Sequence, residues 1–126
     1  MRLLLLASTG GAIGAGIRHL VNRAFVHAGF IEFPWATFFI NVSGSFLMGV
    51  LIEVLALRFN ASNELRTFLA TGILGGYTTF SAFSLEFATL YERGNLTAAF
   101  GYVAASVILS LFAVFAGLAA ARWALA

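Results

Sequence analysis

The sequence predicts an all-α membrane protein of four transmembrane helices, the third broken near its centre. Three observations carry that expectation. Of 126 residues, 61% are hydrophobic and only 10% charged, whereas a soluble domain holds about 45–50% apolar and about 25% charged residues. The mean hydropathy is +0.97. Charge-free stretches of membrane-spanning character recur along the chain, and four spans of about 20 residues each leave room only for short connections and two tails. Residues 1–126 therefore form a single transmembrane domain, with no space for a separate catalytic one.

The charge-free stretches locate the spans in order. Leu3–Ile17 is followed by Arg18, His19 and Arg23; Phe33–Ile52 by Glu53; Thr67–Leu85 by Glu86; and Gly94–Ala121 by Arg122. The last three suffice to cross about 30 Å of hydrocarbon as helices, and the first does so if the membrane extends to Arg18 or beyond. Arg2 before a run of four leucines resembles a signal peptide. The run dissolves at once into Ala7, Ser8, Thr9, Gly10 and Gly11, without the apolar core and cleavage site of a signal, so a retained span is expected. Val26–Glu32, Arg58–Glu64 and Tyr91–Asn95 are short polar connections. Pro34, the only proline, stands where a helix start tolerates it, and Trp35 and Trp123 suit the membrane interfaces.

The charges are seven arginines and five glutamates, for a formal net charge of +2. They are scattered singly, so they make no basic patch that would track phosphates, and nucleic acid is excluded as a partner. The absence of cysteine removes disulfides, thiolate metal sites and a thiol nucleophile. Four spans put Arg2, Arg58, Arg66 and Arg122 on one side and Arg18, Arg23 and Arg93 on the other, four against three. Arginine imbalance sets orientation. So small an imbalance is consistent either with one weakly chosen orientation or with insertion both ways and assembly as an antiparallel dimer.

Small residues recur at helix-packing spacing in Gly10 and Gly14, Ser45 and Gly49, Gly72 and Gly76, and Gly117 and Ala121. Helices in a bilayer associate by close backbone approach at such positions. The bundle should be too tight to enclose a path, which directs any conduction to a dimer interface. Asn41, Asn60 and Asn95 match the Asn-x-Ser/Thr pattern, which is short and frequent by chance.

Every Glu and nearly every Arg falls at an expected span end, which weakens proton-coupled and cation-exchanging mechanisms. Arg18 either snorkels to the headgroups or attracts anions to a vestibule. His19 has no second ligand at metal-binding spacing and reads as an interfacial side chain. Asn41, strongly polar in the middle of the second span, is either interhelical glue or a donor lining a path.

The third span carries the most unusual text, Gly75-Gly76-Tyr77-Thr78-Thr79-Phe80-Ser81-Ala82-Phe83-Ser84. Glycine disfavours a helix by about 1 kcal/mol against alanine, and hydroxyls compete for the backbone, so a break is expected here. Carbonyls freed at this depth are natural ligands for a hard cation. A continuous helix with back-bonded hydroxyls is the alternative. In the fourth span Tyr102, Ser106 and Ser110 are four apart and share one face. Such a stripe either passes a small solute along or contacts a neighbouring helix.

These residues resemble the Fluc-type (CrcB) fluoride channel family. The likeness lies in the Gly75–Ser84 string with Glu86 after it, Asn41 before Val42-Ser43-Gly44, Arg18 ending the first span, and the Tyr102, Ser106, Ser110 stripe. It covers essentially the whole chain. The resemblance implies an antiparallel, dual-topology homodimer with two pores, in agreement with the near-even arginine count. It implies a structural Na⁺ at the dimer centre held by the carbonyls of Gly75 and Thr78. Phe80 and Phe83 correspond to paired pore phenylalanines, Asn41 to the pore amide, and Thr79, Ser81, Ser84, Tyr102, Ser106 and Ser110 to polar groups along the path. Arg18 corresponds to a basic vestibule residue. Ala82 stands where the family often has Thr, which removes one hydroxyl.

The implied chemistry is coherent. Fluoride is the smallest halide and the strongest hydrogen-bond acceptor, so its water must be replaced by amide and hydroxyl donors and by the positive edges of aromatic rings. A donor-lined path without a fixed deep cation admits the ion without trapping it. The implied function is passive, selective export of toxic fluoride through a bacterial plasma (inner) membrane, driven by the membrane potential. The alternative is a dual-topology small multidrug/proton exchanger, which needs a carboxylate in the first span. Residues 3–24 contain none. An enzyme is not expected, because no nucleophile with a base, carboxylate pair or metal cluster is legible.

Overall fold

A computed structural model describes residues 1–59 and 62–126, all of whose regular structure is helical. Asn60 and Ala61, and with them the Asn60 match to the Asn-x-Ser/Thr pattern, lie outside the described residues. Four helical stretches are long and apolar enough to cross a membrane, Arg2–His27, Trp35–Arg58, Asn63–Glu92 and Leu96–Leu125. Each runs past the charge-free stretch that announced it. Arginine, glutamate and histidine can ride on a helix in the headgroup zone with their stems on apolar surface, so a helix does not end where its hydrocarbon-facing part ends.

Helix α1 (Arg2–His27) thus carries Arg18, His19 and Arg23 on its surface rather than after its end. Gly29 at φ +94° turns the chain away from it. At Pro34, φ −78° and ψ 61°, together with a 2.8 Å bond from the Trp35 N–H to the Phe33 carbonyl, form an inverse γ-turn. The turn feeds helix α2 (Trp35–Val54), which continues as a π-helix over Leu55–Phe59.

The third span is composite. Ser62 caps α3 (Asn63–Arg66) by accepting the Leu65 N–H at 3.2 Å. A π-helical stretch, Thr67–Leu74, leads into one turn, α4 (Gly75–Tyr77). Thr78 and Thr79 are extended, at φ −82°, ψ 159° and φ −150°, ψ 123°. The Thr79 hydroxyl then caps α5 (Phe80–Glu92) by accepting the Ala82 N–H at 3.1 Å. After Gly94, α6 (Leu96–Leu125) returns across the bundle.

The glycines decide which helices touch. A Cβ on Gly10 or Gly14 would run into the backbone of Phe68, Gly72, Ile73 and Tyr77, and one on Gly76 into Gly11. A Cβ on Gly49 would strike Val114 and Leu118, and one on Gly117 would strike Phe46 and Val50. So α1 lies against the first half of the third span, and α2 lies against α6, in the close contact that small residues permit without a hydrophobic driving force.

One end of the bundle holds the N-terminus, the end of the second span and the C-terminus. There Arg122 donates through Nε and Nη2 to the two Glu53 oxygens at 3.1 and 3.2 Å, Arg58 donates to the Leu125 carbonyl at 3.2 Å, and Arg2 lies 3.8 Å from Glu64. The forked Arg122–Glu53 pair fixes the register of α2 against α6, whereas the exposed Arg2–Glu64 pair contributes little. The 28–34 and 93–95 connections lie at the other end, above a core of Phe83, Leu90, Ala99 and Tyr102.

Candidate functional site

The interruption of the third span is held from the side. Asn41 on α2 donates from Nδ2 to the Thr79 carbonyl at 2.9 Å and accepts the Thr79 N–H on Oδ1 at 2.9 Å. One side-chain amide thus does for Thr79 what a neighbouring strand does in a sheet. The carbonyls of Gly75 and Thr78 are among those that leave the helical ladder here. The Thr79 N–H, which a continuous helix directs to Gly75, goes to Asn41, and the Ala82 N–H, which would serve Thr78, goes to the Thr79 hydroxyl.

Beside the interruption an open groove of about 430 Å³ runs between α2, α5 and α6. Asn41, Thr78, Thr79, Phe80, Phe83, Ser106 and Ser110 line it, among apolar residues such as Met48, Val107 and Leu111. The Phe80 and Phe83 ring centroids are 5.6 Å apart at an interplanar angle of 52°. Phe83 is buried, whereas Phe80 is 78% exposed. Among the described residues, the Ser106 hydroxyl is the one buried side-chain polar atom without a hydrogen-bond partner.

A second polar cluster lies against the far side of Phe83. Glu86 on α5 accepts from the Thr37 hydroxyl at 3.1 Å on one oxygen and from the Tyr102 hydroxyl at 3.1 Å on the other. Tyr102 and Thr37 are 0% and 2% exposed, and the Phe83 and Tyr102 centroids are 5.1 Å apart. Since Ser110, Ser106 and Tyr102 lie at helical spacing on α6, the groove and the cluster are successive parts of one polar line.

The expected site residues separate accordingly. Asn41, Thr79, Phe80, Phe83, Ser106 and Ser110 meet at the groove, and Tyr102 is buried beyond it. Ser81 is exposed and within 3.4 Å of the Thr79 hydroxyl, and Ser84 is exposed and donates back to the Phe80 carbonyl at 3.0 Å. Gly75 is exposed on the surface of the chain, Thr78 lines the groove, and Arg18 lies on α1 away from it. Sequence reasoning missed Glu86 and Thr37 as members of the polar line. Glu86 was expected at a span end; α5 continues to Glu92, and the half-buried carboxylate turns inward to Thr37 and Tyr102. Its spacing of three from Phe83 was the available signal. Nothing local marks Thr37.

A family profile described as CrcB-like protein, Camphor Resistance (CrcB), matches residues 5–118. The chain belongs to the CrcB-like family. The matched stretch contains all groove-lining residues and the Thr37, Glu86 and Tyr102 cluster. Among curated CrcB-like relatives, the fluoride-specific ion channel FluC of Mesorhizobium japonicum is 57% identical over 119 residues, covering 94% of this chain and 95% of the relative. The protein of the same name from Chelativorans is 56% identical with the same coverage. That from Rhizobium meliloti is 50% identical over 122 residues, covering 97% and 98% of the two chains. This CrcB-like chain is a multi-pass membrane protein, and its relatives are named for ion transport rather than for a catalysed reaction.

Proposed function

We propose that this chain is one subunit of a fluoride-selective passive channel, assembled as an antiparallel homodimer with two pores. The observation that carries the reading is the Ser106 hydroxyl, 5% exposed and unpartnered on a groove shared with Asn41, Phe80 and Phe83. A buried donor without an acceptor is unfavourable by about 1–3 kcal/mol, and a small, strongly accepting anion removes that deficit. Fluoride accepts hydrogen bonds more strongly than any other halide. Its replacement shell would come from Ser106, Ser110, the second Asn41 N–H, the hydroxyls of Thr79 and Ser81, that of Ser84 once it turns from the Phe80 carbonyl, and the positive edges of Phe80 and Phe83. Chloride, larger and a weaker acceptor, recovers less from the same donors. The relatives' shared name supports this choice of ion.

The arrangement of a single chain supports the dimer. Phe80 and Gly75 are exposed beside an open groove, so the site needs a second surface to close it. The near-even arginine count permits a partner inserted the other way up. At the dyad of such a dimer the released carbonyls of Gly75 and Thr78 fit a Na⁺ ion, because a hard cation prefers uncharged or anionic oxygen ligands. The ion would supply a fixed positive charge near the anion path and tie the two interruptions together. Arg18 attracts anions at the vestibule, and Tyr102 carries the polar line onward to Glu86. In a bacterial plasma membrane the inside-negative potential drives an anion outward, so export needs no coupled energy source.

A dual-topology multidrug/proton exchanger is not favoured. Glu86, the carboxylate within the bundle, has both oxygens engaged by Thr37 and Tyr102, and the first span carries no carboxylate at all.

The deciding experiment is efflux from proteoliposomes loaded with fluoride or chloride, read by ion-selective electrodes after a potassium ionophore supplies countercharge. Rapid fluoride release with chloride retained is expected. Retention of fluoride by folded, reconstituted dimer overturns the reading.

A further inference from the structure

The connection between the first two spans places an aromatic ring over the end of the polar line. Phe33 lies in an edge-on arrangement with Tyr102, with centroids 5.4 Å apart and an interplanar angle of 83°. Its backbone is not free to drift, because the Pro34 inverse γ-turn closes on the Phe33 carbonyl at 2.8 Å. On its outer side Phe33 packs against Trp35 at 4.7 Å, and Trp35 against Phe38 at 6.0 Å. Tyr102 is thus held between Phe83 from the groove side and Phe33 from the connection side. The hydroxyls of Tyr102 and Thr37 and the Glu86 carboxylate form a polar cluster whose Tyr and Thr members have almost no exposure, at an end of the bundle where water should be near.

We propose that Phe33 is the stopper at this end of the path, a positioning residue that keeps water and ions off the buried Thr37 and Tyr102 hydroxyls, beside the half-buried Glu86, until its ring swings aside. The inference rests on the channel reading above. An apolar ring across a narrow polar line blocks it by excluding water rather than by filling it with charge. The γ-turn holds the backbone that carries the ring, since proline fixes φ at the next residue, so access depends on the Phe33 side-chain rotamer and not on movement of the connection. Ion exit past Tyr102 then requires rotation of one aromatic side chain, with the helices left in place.

The chain has no cysteine, so a single thiol introduced by Thr37→Cys reports access to the cluster. Its reaction with a small, water-soluble, charged methanethiosulfonate in proteoliposomes should be slow with Phe33 present and about ten-fold faster with Phe33→Ala. Phe33→Leu, which keeps an apolar stopper, should restore protection. Phe30→Ala, in the same connection but stacked on Phe25 rather than Tyr102, should leave the labelling rate unchanged. In chains that retain Thr37, Phe33→Ala should raise fluoride efflux by about three-fold or more while size-exclusion behaviour stays that of the parent. An unchanged labelling rate, or faster labelling without faster efflux, overturns the proposal. Lack of fluoride efflux in the parent overturns the channel reading instead, and labelling alone then decides whether Phe33 seals the cluster.

Discussion

Asn41 and Thr79, separated by 38 positions, are joined by two hydrogen bonds of 2.9 Å in opposite senses, so the side chain of one span replaces the missing ladder of another. Asn41 therefore braces the interruption as well as lining the groove, and one amide hydrogen is left over for a further acceptor.

Asn41→Ala should strand the Thr79 N–H and carbonyl inside the bundle, lowering stability by about 1–3 kcal/mol. Thermal unfolding in detergent checks this. Asn41→Asp keeps an acceptor for the Thr79 N–H but loses the donor and sets a negative charge against both the Thr79 carbonyl and an anion, so fluoride efflux should fall by about ten-fold or more. Efflux at the parental rate would place Asn41 outside the path.

Ser106→Ala should separate conduction from stability. Its hydroxyl is buried and has no partner within the described chain, so without fluoride its loss should leave stability unchanged or raise it by up to about 1–3 kcal/mol, while efflux falls several-fold. Equal loss of both would mean that the hydroxyl serves packing.

Phe80→Ile and Phe83→Ile replace rings that carry positive edges with aliphatic side chains of lesser reach. Both should sharply reduce fluoride efflux with the dimer intact by size-exclusion chromatography. Phe83→Ile should also lower stability by about 1–3 kcal/mol, seen as a lower unfolding temperature, because Phe83 is buried in the α5–α6 core and Phe80 is exposed. Unchanged efflux in both would remove the ring-edge contribution.

Gly117→Ala should damage the fold itself. The added methyl meets the Phe46 carbonyl and the Val50 nitrogen, both backbone, and must push α6 off α2, at about 1–3 kcal/mol. Gly101→Ala, on the same helix with open space around it, should leave the unfolding temperature at or above that of the parent.

Exchange of Na⁺ for a large organic cation should lower the unfolding temperature of the dimer if the Gly75 and Thr78 carbonyls hold the ion, since a ligand bound only by the assembled state stabilises it by mass action. An unfolding temperature insensitive to Na⁺ from micromolar to molar concentration would remove the ion from the account.

The number and order of the spans, the connections and the glycine contacts were legible in the residues themselves, because hydropathy and small-residue spacing act along one helix at a time. Gly10, Gly14, Gly72 and Gly76 announced a close contact before their partners were known, since in a bilayer little else draws two apolar helices together. The Gly75–Ser84 string marked a weak stretch, but which two of its residues become extended depends on where an outside partner can replace the ladder. Only the fold brings Asn41 to Thr79 and leaves Thr78 and Thr79 as the extended pair.

Glu86 shows the same division. As text it stands after an apolar run and reads as a flanking charge; in three dimensions Thr37, 49 positions earlier, and Tyr102, 16 positions later, donate to its two oxygens. A carboxylate drawn half-buried into the bundle needs such partners, and no one-dimensional pattern supplies them. The sequence by itself determined a four-span CrcB-like chain and the residue types able to meet a small anion. The tertiary structure alone decided which of them face one groove, which brace the backbone, and that Phe33 closes over Tyr102, because those relationships are made across helices by packing and not along them by periodicity.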